Sequence, residues 1–252
     1  MLPGGRSGLK NETITERRLT VSFGPIMRFT IPKSGLKIEL APLTSESVQE
    51  NINYEHGGGM QLHSVVRYLG MSTAPTAEDE QEWFDKVRKD PNKLAWGIWL
   101  IEESQRALIG VSSLDNIGSS GHAKFIHQAT SGSQIFRPEY WGKGIASSAH
   151  KARAWYAFNQ LGLHRIKSAV VQGNTGSSKA LERAGYNFVY TERNDTFVDG
   201  KLRHMECYEC LNPLDQFWST WWGDDTPTSK SEKARELTRQ AMAWADESVD
   251  LL

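Results

Sequence analysis

The sequence predicts a domain of the α/β (α+β) class, in which helices pack on a central sheet. Two observations predict this class: short segments that alternate apolar and polar residues indicate strands, and longer runs with apolar residues three and four apart indicate helices. Both kinds of segment follow one another from Leu36 to Cys210. The chain has 252 residues, of which 38% are hydrophobic and 23% charged, and this is enough for a sizeable core.

Charge and cysteine content exclude several classes of protein. The 29 Lys and Arg residues balance 30 Asp and Glu residues to a formal net charge of −1, which argues against a nucleic-acid partner. No apolar stretch approaches the roughly 20 residues of a membrane span, and the chain does not start with a signal-peptide pattern. Its two cysteines build no disulfide framework and fit a reducing compartment. We therefore expect a cytoplasmic protein with no membrane partner.

Strands and helices are mixed in the N-terminal half of the chain. Residues 19–31 alternate in two short stretches and predict a strand or hairpin. Leu36–Leu40 predicts a strand that ends at Pro42, and the segment from Thr44 to Pro91 predicts helices. Three further segments have the pattern of strands: Ala95–Ile101, Ala107–Leu114 and Ser131–Phe136.

The C-terminal half places a glycine loop before a long helix. The loop Gly142-Lys143-Gly144 precedes a run with one apolar stripe, and Gly162 ends that run. A strand over Arg165–Val171 and a short helix with Asn174 as its N-cap follow. Two last strands are predicted on either side of a tight turn: Phe188–Thr191 and Leu202–Cys210.

The elements divide the chain into three parts. Residues 1–34 form an N-terminal extension with extra strands, residues 35–213 form the main domain, and residues 214–252 form a tail. The tail begins with a tryptophan-rich segment and ends in a predicted amphipathic helix. The helix folds either onto its own domain or onto a second subunit, so a homodimer is left open.

The nine tryptophans are the unusual feature of the composition. Trp96 and Trp99 lie on one predicted strand, and we expect them to share a face of the sheet, or nearly so, given a bulge between them. Trp218, Trp221 and Trp222 are crowded into one short stretch of the tail. Large aromatic side chains stabilise mainly by burial. We therefore expect the cluster over Phe217–Trp222 to anchor the tail by packing, and a role in the acceptor site is the alternative.

The loop Gly142-Lys143-Gly144 is suited to anion binding. Without Cβ atoms in the way, main-chain N–H groups at a helix start can surround a phosphate and add the favourable end of the helix dipole. A tight loop with no ligand is one alternative. A dinucleotide-binding loop is excluded, because Ser147 replaces its third glycine and no acidic residue closes the next strand. A pyrophosphate loop for coenzyme A is the third interpretation.

A second pattern favours coenzyme A. The segment from Asn174 to Tyr186 has the form Asn-x-x-Ser, a short helix, and then Gly-aromatic. Together with Glu139-x-x-Gly142-x-Gly144 and the strand between them, it resembles the acetyl-CoA-binding half of the GNAT N-acetyltransferase superfamily. The string Pro-Glu-Tyr-Trp-Gly-Lys-Gly-Ile-Ala is similar to that of the ribosomal-protein N-terminal acetyltransferases. The resemblance extends over about Gly35 to Pro213.

The resemblance implies a GNAT fold, with a mixed, mostly antiparallel sheet that splays at the acetyl-CoA site. The splay would lie between the strand ending at Phe136 and the strand Arg165–Val171. The main chain would hold the pantetheine arm at Ile135, Phe136 and Arg137. The pyrophosphate would bind the amides of Gly142, Lys143, Gly144, Ile145 and Ala146. Asn174 would bond to the arm, and Ser177 would protonate the departing thiolate.

The implied activity is acetyl-CoA-dependent N-acetylation, without a metal, by direct attack of a neutral amine in a ternary complex. The acceptor would be a small-molecule amine or a peptide N-terminus. Ser131 stands where relatives often have glutamate, and Leu181 stands where other branches have tyrosine, so the base is not identified. We predict Asp115 as the base, with Glu139 and His127 as alternatives. The alternative function is a non-catalytic acyl-CoA-binding module.

Two other motifs are discounted. Cys207 and Cys210 form a C-x-x-C pair on a predicted strand, where positions three apart point to opposite faces and do not form a metal site. His56-Gly57-Gly58-Gly59 resembles an esterase oxyanion loop, but the chain has no G-x-S-x-G motif. We expect a flexible loop there, in the region where similar acetyltransferases bind their acceptor.

Overall fold

The predicted α/β class and GNAT-type architecture are confirmed by a computed structural model. It describes residues 23–50, 52, 59–71, 73–103, 105–121 and 123–252. In these ranges one nine-stranded, mostly antiparallel sheet has helices on both faces. The predicted alternation over residues 19–22 and most of the His56–Gly59 loop lie outside the described residues.

The strands of this sheet are numbered in chain order. They are β1 (Met27–Thr30), β2 (Lys37–Ala41), β3 (Leu94–Ile101), β4 (Arg106–Ser119), β5 (His127–Ile135), β6 (Arg165–Val171), β7 (Asn187–Val198), β8 (Lys201–Leu211) and β9 (Asp250–Leu251). Their spatial order is β7-β8-β6-β5-β4-β3-β2-β1-β9, and β5 and β6 are the parallel pair among these nine strands.

The helices are also numbered in chain order. They are α1 (Ser45–Gln49), α2 (His63–Val66), α3 (Ala77–Val87), α4 (Ile145–Asn159), α5 (Thr175–Glu182), α6 (Asp215–Trp222) and α7 (Ser229–Ser248). A single 3₁₀ turn over Pro138–Tyr140 precedes α4. No helix of the described ranges is long and apolar enough to cross a membrane.

The helices form two layers, one on each side of the sheet. One hydrophobic cluster joins β1–β6 to α4, α5 and α7, with Trp96, Ile109 and Leu163 fully buried or nearly so. A second cluster joins the opposite face to α1–α3, around Val48, Phe84 and Leu108 in α1, α3 and β4. The sheet therefore separates two hydrophobic clusters, one on its α4 side and one on its α1–α3 side.

The prediction that Trp96 and Trp99 share a face is wrong. Trp96 lies in the α4-side cluster, where its Nε1 donates to Pro25 O at 2.9 Å. Trp99 lies in the α1–α3-side cluster. The bulge between Ile98 and Trp99 pairs these residues with Gly110 and Leu108, so the extra residue is on β4. The alternation along β3 is therefore intact, and positions three apart point to opposite faces.

The C-terminal tail packs on its own chain in this structure. Helix α7 packs against α4, and Trp155 Nε1 donates to Asp246 Oδ1 at 2.5 Å. Strand β9 then pairs with β1, with Leu251 opposite Met27. The guanidinium of Arg165 lies 5.0 Å from the ring centroid of Trp221, which joins α6 to β6. The boundaries at residues 34 and 213 stay predictions.

Candidate acyl-CoA and acceptor site

Strands β5 and β6 part in the middle of the sheet. They pair only at Gln128, Ala129 and Thr130 of β5, and the last of these lies opposite Lys167. Beyond this point β5 continues to Ile135 along β4, while β6 continues to Val171 along β8. At the fork, Ser168 Oγ donates to Ser131 O at 3.4 Å. The two strands thus form the predicted splay.

The glycine loop lies at the start of α4 and has the geometry of an anion site. Gly142 and Gly144 have φ of +73° and +89°, in the left-handed region where a side chain is strained. Gly144 is the N-cap of α4 and offers no capping side chain. The first N–H groups of the helix, on Ile145 and Ala146, have no partner within the helix and carry its positive dipole end.

A cavity of about 630 Å³ connects the loop with the splay. Its walls come from β5, the start of α4, the turn and first part of α5, and the segment around α2. The predicted residues found in these walls are Ile135, Gly142, Gly144, Ile145, Ala146, Asn174 and Ser177. Phe136, Arg137, Lys143 and Asp115 do not line this cavity.

The main chain of Phe136 is already engaged. Its N–H donates to Ile109 O of β4 at 3.1 Å. A Cβ atom added to Gly59 would lie 1.5 Å from Phe136 O, so the main chain near Gly59 covers this carbonyl. Because neighbours along a strand turn to opposite edges, Ile135 and Ser133 direct their main-chain groups into the splay. The open edge of β5 therefore begins at Ser133, earlier than the sequence predicts.

One contact and one hydroxyl unpaired among the described residues mark this open edge. Trp141 Nε1 donates to Ile135 O at 2.8 Å, which leaves the Ile135 N–H as the available group of that residue. Ser133 Oγ is buried, and no described residue forms a hydrogen bond with it. A buried hydroxyl without a partner is uncommon, because its desolvation is then uncompensated. Ser133 therefore has an unused polar atom in the cavity wall.

Asn174 both caps α5 and lines the cavity. Its Oδ1 accepts from the Ser177 N–H at 3.4 Å, so the helix-cap interpretation is correct. The oxygen faces the helix, and the amide nitrogen is left to donate elsewhere. Ser177 follows in the first turn of α5 and also lines the cavity. The cap thus fixes the position of both side chains.

Three cationic side chains in the cavity wall were not predicted from the sequence: Lys33, Lys179 and Arg183. Lys33 lies on the β1–β2 turn, and its Nζ donates to Gly142 O at 3.2 Å. Lys179 and Arg183 come from α5 and the residue that ends it. No local signal marks Lys33, because its position depends on docking between segments distant in sequence. The cavity wall thus carries three positive charges, one of them in contact with the glycine loop.

The segment around α2 closes the opposite side of the cavity. Ser64, Val65, Tyr68 and Leu69 line it. Asp199, on the β7–β8 turn, pairs with Arg67 and lies 2.9 Å from His63 Nε2. Tyr68 OH donates to Gly173 O at 3.3 Å. These contacts hold the α2 segment beside the cavity. The acceptor side near the Gly-rich loop stays a prediction.

The three candidate bases lie away from the described cavity walls. Asp115 Oδ1 is 2.5 Å from Lys93 Nζ, and its Oδ2 accepts from Ser113 Oγ at 2.7 Å. Glu139 is exposed on the 3₁₀ turn. His127 stacks on His164, with ring centroids 5.9 Å apart. The assignment of Asp115 as the base stays a prediction.

Cys210 and Cys207 point to different surroundings. Cys210 is fully buried with its Sγ 3.5 Å from Thr238 Oγ1, and burial raises its pKa to about 12. Cys207 is only half-buried, on β8 opposite Tyr190 of β7. Among the described residues, no three His, Cys, Asp or Glu side chains come together as a metal site.

A sheet splayed beside a glycine loop at a helix N-terminus is the architecture of acyl-CoA-dependent transferases of the predicted class. Residues 38–187 match the sequence profile of the acetyltransferase (GNAT) domain, and the chain belongs to this family. The probable N-acetyltransferase YjcK of Bacillus subtilis (strain 168) is 36% identical over 186 residues, which cover 72% of this chain and 98% of YjcK. The predicted family is thus confirmed.

Solved structures with low sequence identity have the same fold. The Mycobacterium smegmatis RimJ structure in complex with CoA-disulfide gives a TM-score of 0.62 at 16% identity, over 91% of this chain and 97% of that one. Spermidine N-acetyltransferase from Vibrio cholerae, in complex with CoA and spermine, gives a TM-score of 0.57 at 20% identity. This match covers 69% of this chain and 95% of that one.

Proposed function

We propose that the protein transfers the acetyl group of acetyl-CoA to a primary amine, on a small molecule or at a peptide N-terminus. The observation that carries this proposal is the parting of β5 and β6 beyond Thr130 and Lys167, beside the Gly142–Gly144 loop. One cavity spans both features. An acyl donor with a phosphate end and a long amide-bearing arm fits this shape.

The residues of the cavity suit the phosphate end of acetyl-CoA. The amides of Ile145 and Ala146 would hold the pyrophosphate at the start of α4. Lys33, Lys179 and Arg183 would neutralise phosphate charge from two sides of the loop. Lys143 is the exception, because its ammonium lies 4.9 Å from the ring centroid of Tyr140 and outside the cavity wall. We propose that it contributes its main chain alone.

The arm would pair with the open edge of β5. The N–H groups of Ser133 and Ile135 are the proposed donors, since Phe136 N–H is bound to β4. Ser133 Oγ, which has no partner among the described residues, is a further contact. The Asn174 amide nitrogen would donate to the arm from the other side. Bound acetyl-CoA supplies an activated thioester for attack by the amine.

The chain has two further tasks in the transfer. The acceptor must attack as a neutral amine, so a proton must leave it, and the sulfur must gain one. We propose Ser177 as the proton donor to sulfur, because it lies in the cavity wall at the first turn of α5. We propose that Asp115 acts as base through water, because Lys93 and Ser113 hold its carboxylate on the α1–α3 side.

The acceptor would enter between α2 and β5. The described walls there carry Ser64, Val65 and Leu69, together with Gln134 of β5. These side chains are uncharged, whereas the cations Lys33, Lys179 and Arg183 come from the β1–β2 turn and from α5 and its end. We propose that the phosphate end and the acceptor end are distinguished by this difference in charge. An amine on a largely neutral group fits this acceptor side.

A non-catalytic acyl-CoA-binding module is the second candidate function. It is favoured by one observation: no Asp or Glu of the described residues lines the cavity. Release of CoA thiol, measured across a panel of small amines and peptides, separates the two functions. We expect amine-dependent release by the natural protein and none by Gly142→Trp, whose side chain would fill the loop. Tight acetyl-CoA binding with no release for any amine would establish the module instead.

A further inference from the structure

Arg153 of α4 is fully buried without a carboxylate partner among the described residues. Its exposure is 0%. Its guanidinium donates to Ser112 Oγ at 2.8 Å and to Gly132 O at 2.7 Å. It also lies 2.6 Å from His150 Nδ1 and 3.4 Å from Tyr186 OH. A buried cation that meets only neutral groups does not recover its hydration energy, so it stabilises the fold poorly.

The Arg153 contact determines the protonation state of His150. Arginine has only N–H donors, so Nδ1 of His150 must accept and the ring proton must be on Nε2. Burial, and then the charge of Arg153, lower the pKa of His150 well below its usual value. The imidazole is therefore a neutral ring with one N–H donor, and its orientation is fixed by Arg153.

His150 lines the wall of the proposed acyl-CoA cavity. The residue is 4% exposed. The hydrogen bond of its ring is that of Nδ1 with Arg153, and no described residue pairs with Nε2. His150 lies about 9 Å beyond Gly144 along α4, from the helical rise per residue. His150 and Gly144 thus line one cavity with the β5 residues Ser133 and Ile135.

The same network reaches the fork of the sheet. Tyr186 OH donates to Ser131 Oγ at 3.3 Å, and Ser131 is the first β5 residue beyond the pairing with β6. Gly132 O, which Arg153 binds, is the next residue on that strand. Arg153 thus connects the orientation of the His150 ring to the part of β5 that forms the open edge.

We propose that His150 binds the pantetheine arm by donating from Nε2 to a carbonyl oxygen of the arm, and that Arg153 is its positioning residue. This inference rests on the proposed function, since it requires acetyl-CoA in the cavity. The role differs from that of the main-chain groups of β5, because it is a side-chain contact from the opposite wall. It also accounts for a buried guanidinium that meets no carboxylate in the described part of the chain.

Two substitutions of His150 separate the donor from the packing. His150→Asn keeps an oxygen near the Nδ1 position for Arg153 but has no atom near Nε2. His150→Gln brings an amide nitrogen near Nε2 and can restore the donor. We expect the Asn variant to bind acetyl-CoA about tenfold more weakly by calorimetry, from the loss of one hydrogen bond, and the Gln variant to recover most of this loss.

A matched control and a truncated ligand sharpen the test. His164→Asn removes a ring whose Nδ1 also accepts a hydrogen bond, from His127 N at 3.1 Å, but which lies outside the cavity wall. It should leave acetyl-CoA affinity unchanged. S-acetylpantetheine lacks the adenosine and its phosphates, so the His150→Asn loss should persist with it. The KM for acetyl-CoA should rise in His150→Asn while kcat changes little.

Ring ¹⁵N spectra test the positioning role of Arg153. The natural protein should show the Nε2–H tautomer of His150, with a shift of Nε2 when acetyl-CoA is added. Arg153→Lys should give a mixture of tautomers and a raised KM. Equal acetyl-CoA affinity of the natural protein and His150→Asn, or ring nitrogens that do not respond, would overturn this inference alone. Failure of the natural protein to bind acetyl-CoA would overturn the proposed function with it.

Discussion

Lys33 Nζ donates to the main-chain oxygen of Gly142 across 3.2 Å and joins the β1–β2 turn to the loop before α4. The contact is reinforced by packing, since a Cβ atom on Gly144 would lie 3.3 Å from Ile31 Cγ2. Lys33 precedes the part of the chain that matches the family profile, residues 38–187. The N-terminal extension therefore adds a charge to a site that the family domain otherwise builds by itself.

Replacement of Lys33 by alanine should weaken acetyl-CoA binding. The loss of one charge-assisted contact to phosphate predicts a rise in KM for acetyl-CoA of roughly tenfold, with kcat nearly unchanged. Lys37→Ala is the matched control, because Lys37 is exposed on β2 and does not line the cavity. With S-acetylpantetheine the difference between the two variants should disappear. An equal KM for acetyl-CoA in both variants would contradict the role of Lys33.

Gly142→Ala should impair the phosphate site by backbone strain. A Cβ there meets no atom within 4 Å, but the φ of +73° disfavours any side chain. Gly162→Ala is the control, with φ of +61°, equal open space and a position outside the cavity wall. Both should lose about 1 kcal/mol of unfolding free energy. Gly142→Ala alone should raise the KM for acetyl-CoA, and a matching rise in Gly162→Ala would refute the assignment of the loop.

The tryptophan cluster should act on stability. Trp222 packs on Trp218 with ring centroids 5.5 Å apart, and Trp221 stacks under Arg165. We expect Trp221→Ala combined with Trp222→Ala to lower the unfolding free energy by about 3 kcal/mol, with acetyl-CoA affinity nearly unchanged. Thermal denaturation and calorimetry measure the two effects. An unchanged melting temperature with altered acceptor selectivity would show that the cluster belongs to the acceptor site.

Asp115→Asn tests the predicted base directly. Removal of a general base usually lowers kcat by about 10²- to 10⁴-fold. Because Asp115 would act through water from outside the cavity wall, we expect a decrease in kcat near the lower end of this range, about 10²-fold. The Lys93→Met variant breaks the same ion pair but keeps the carboxylate, so it should lose less. Equal losses in the two variants, or a loss below about tenfold in Asp115→Asn, would show that Asp115 is not the base.

Stability should fall below neutral pH because His150 is held neutral. In the unfolded chain His150 has the ordinary histidine pKa of about 6.5. In the folded chain burial lowers the pKa of His150, so its ring stays neutral until a lower pH is reached. Acidification through pH 6.5 therefore favours unfolding, with a slope of up to about 1.4 kcal/mol per pH unit. His150→Asn should reduce this slope in denaturant titrations between pH 7.5 and 5.5. The pKa of His164 is lowered too, so some slope will remain. Identical pH slopes in the natural protein and in His150→Asn would contradict the assignment of His150 as a neutral buried ring.

Local patterns predicted most elements of the domain. The predicted strands Ala95–Ile101 and Arg165–Val171 match β3 and β6 closely, since each is bounded by polar or turn residues. The predicted strand Ser131–Phe136 is β5 at His127–Ile135, because polar residues at its start pair with β4. The glycine loop and Asn174 were also recognisable, because each has a local geometric requirement.

Contacts between distant segments were not predictable from such patterns. Strand β9 has two residues and forms only because the end of α7 brings it beside β1. Lys33 and Arg153 are ordinary cations in the sequence, and their importance comes from what surrounds them after folding. The error over Trp96 and Trp99 has a local origin instead. Simple alternation places positions three apart on opposite faces, and the bulge lies on β4 and not on β3.

Amide hydrogen exchange with and without acetyl-CoA tests most directly whether the donor lies in the splay. The account predicts slower exchange at two places, the open edge of β5 around Ser133 and Ile135 and the first turn of α4 at Ile145 and Ala146. Exchange in α6 should not change, because Trp218 and its neighbours lie outside the cavity wall. Saturating acetyl-CoA without added protection at β5 and α4 would contradict the account.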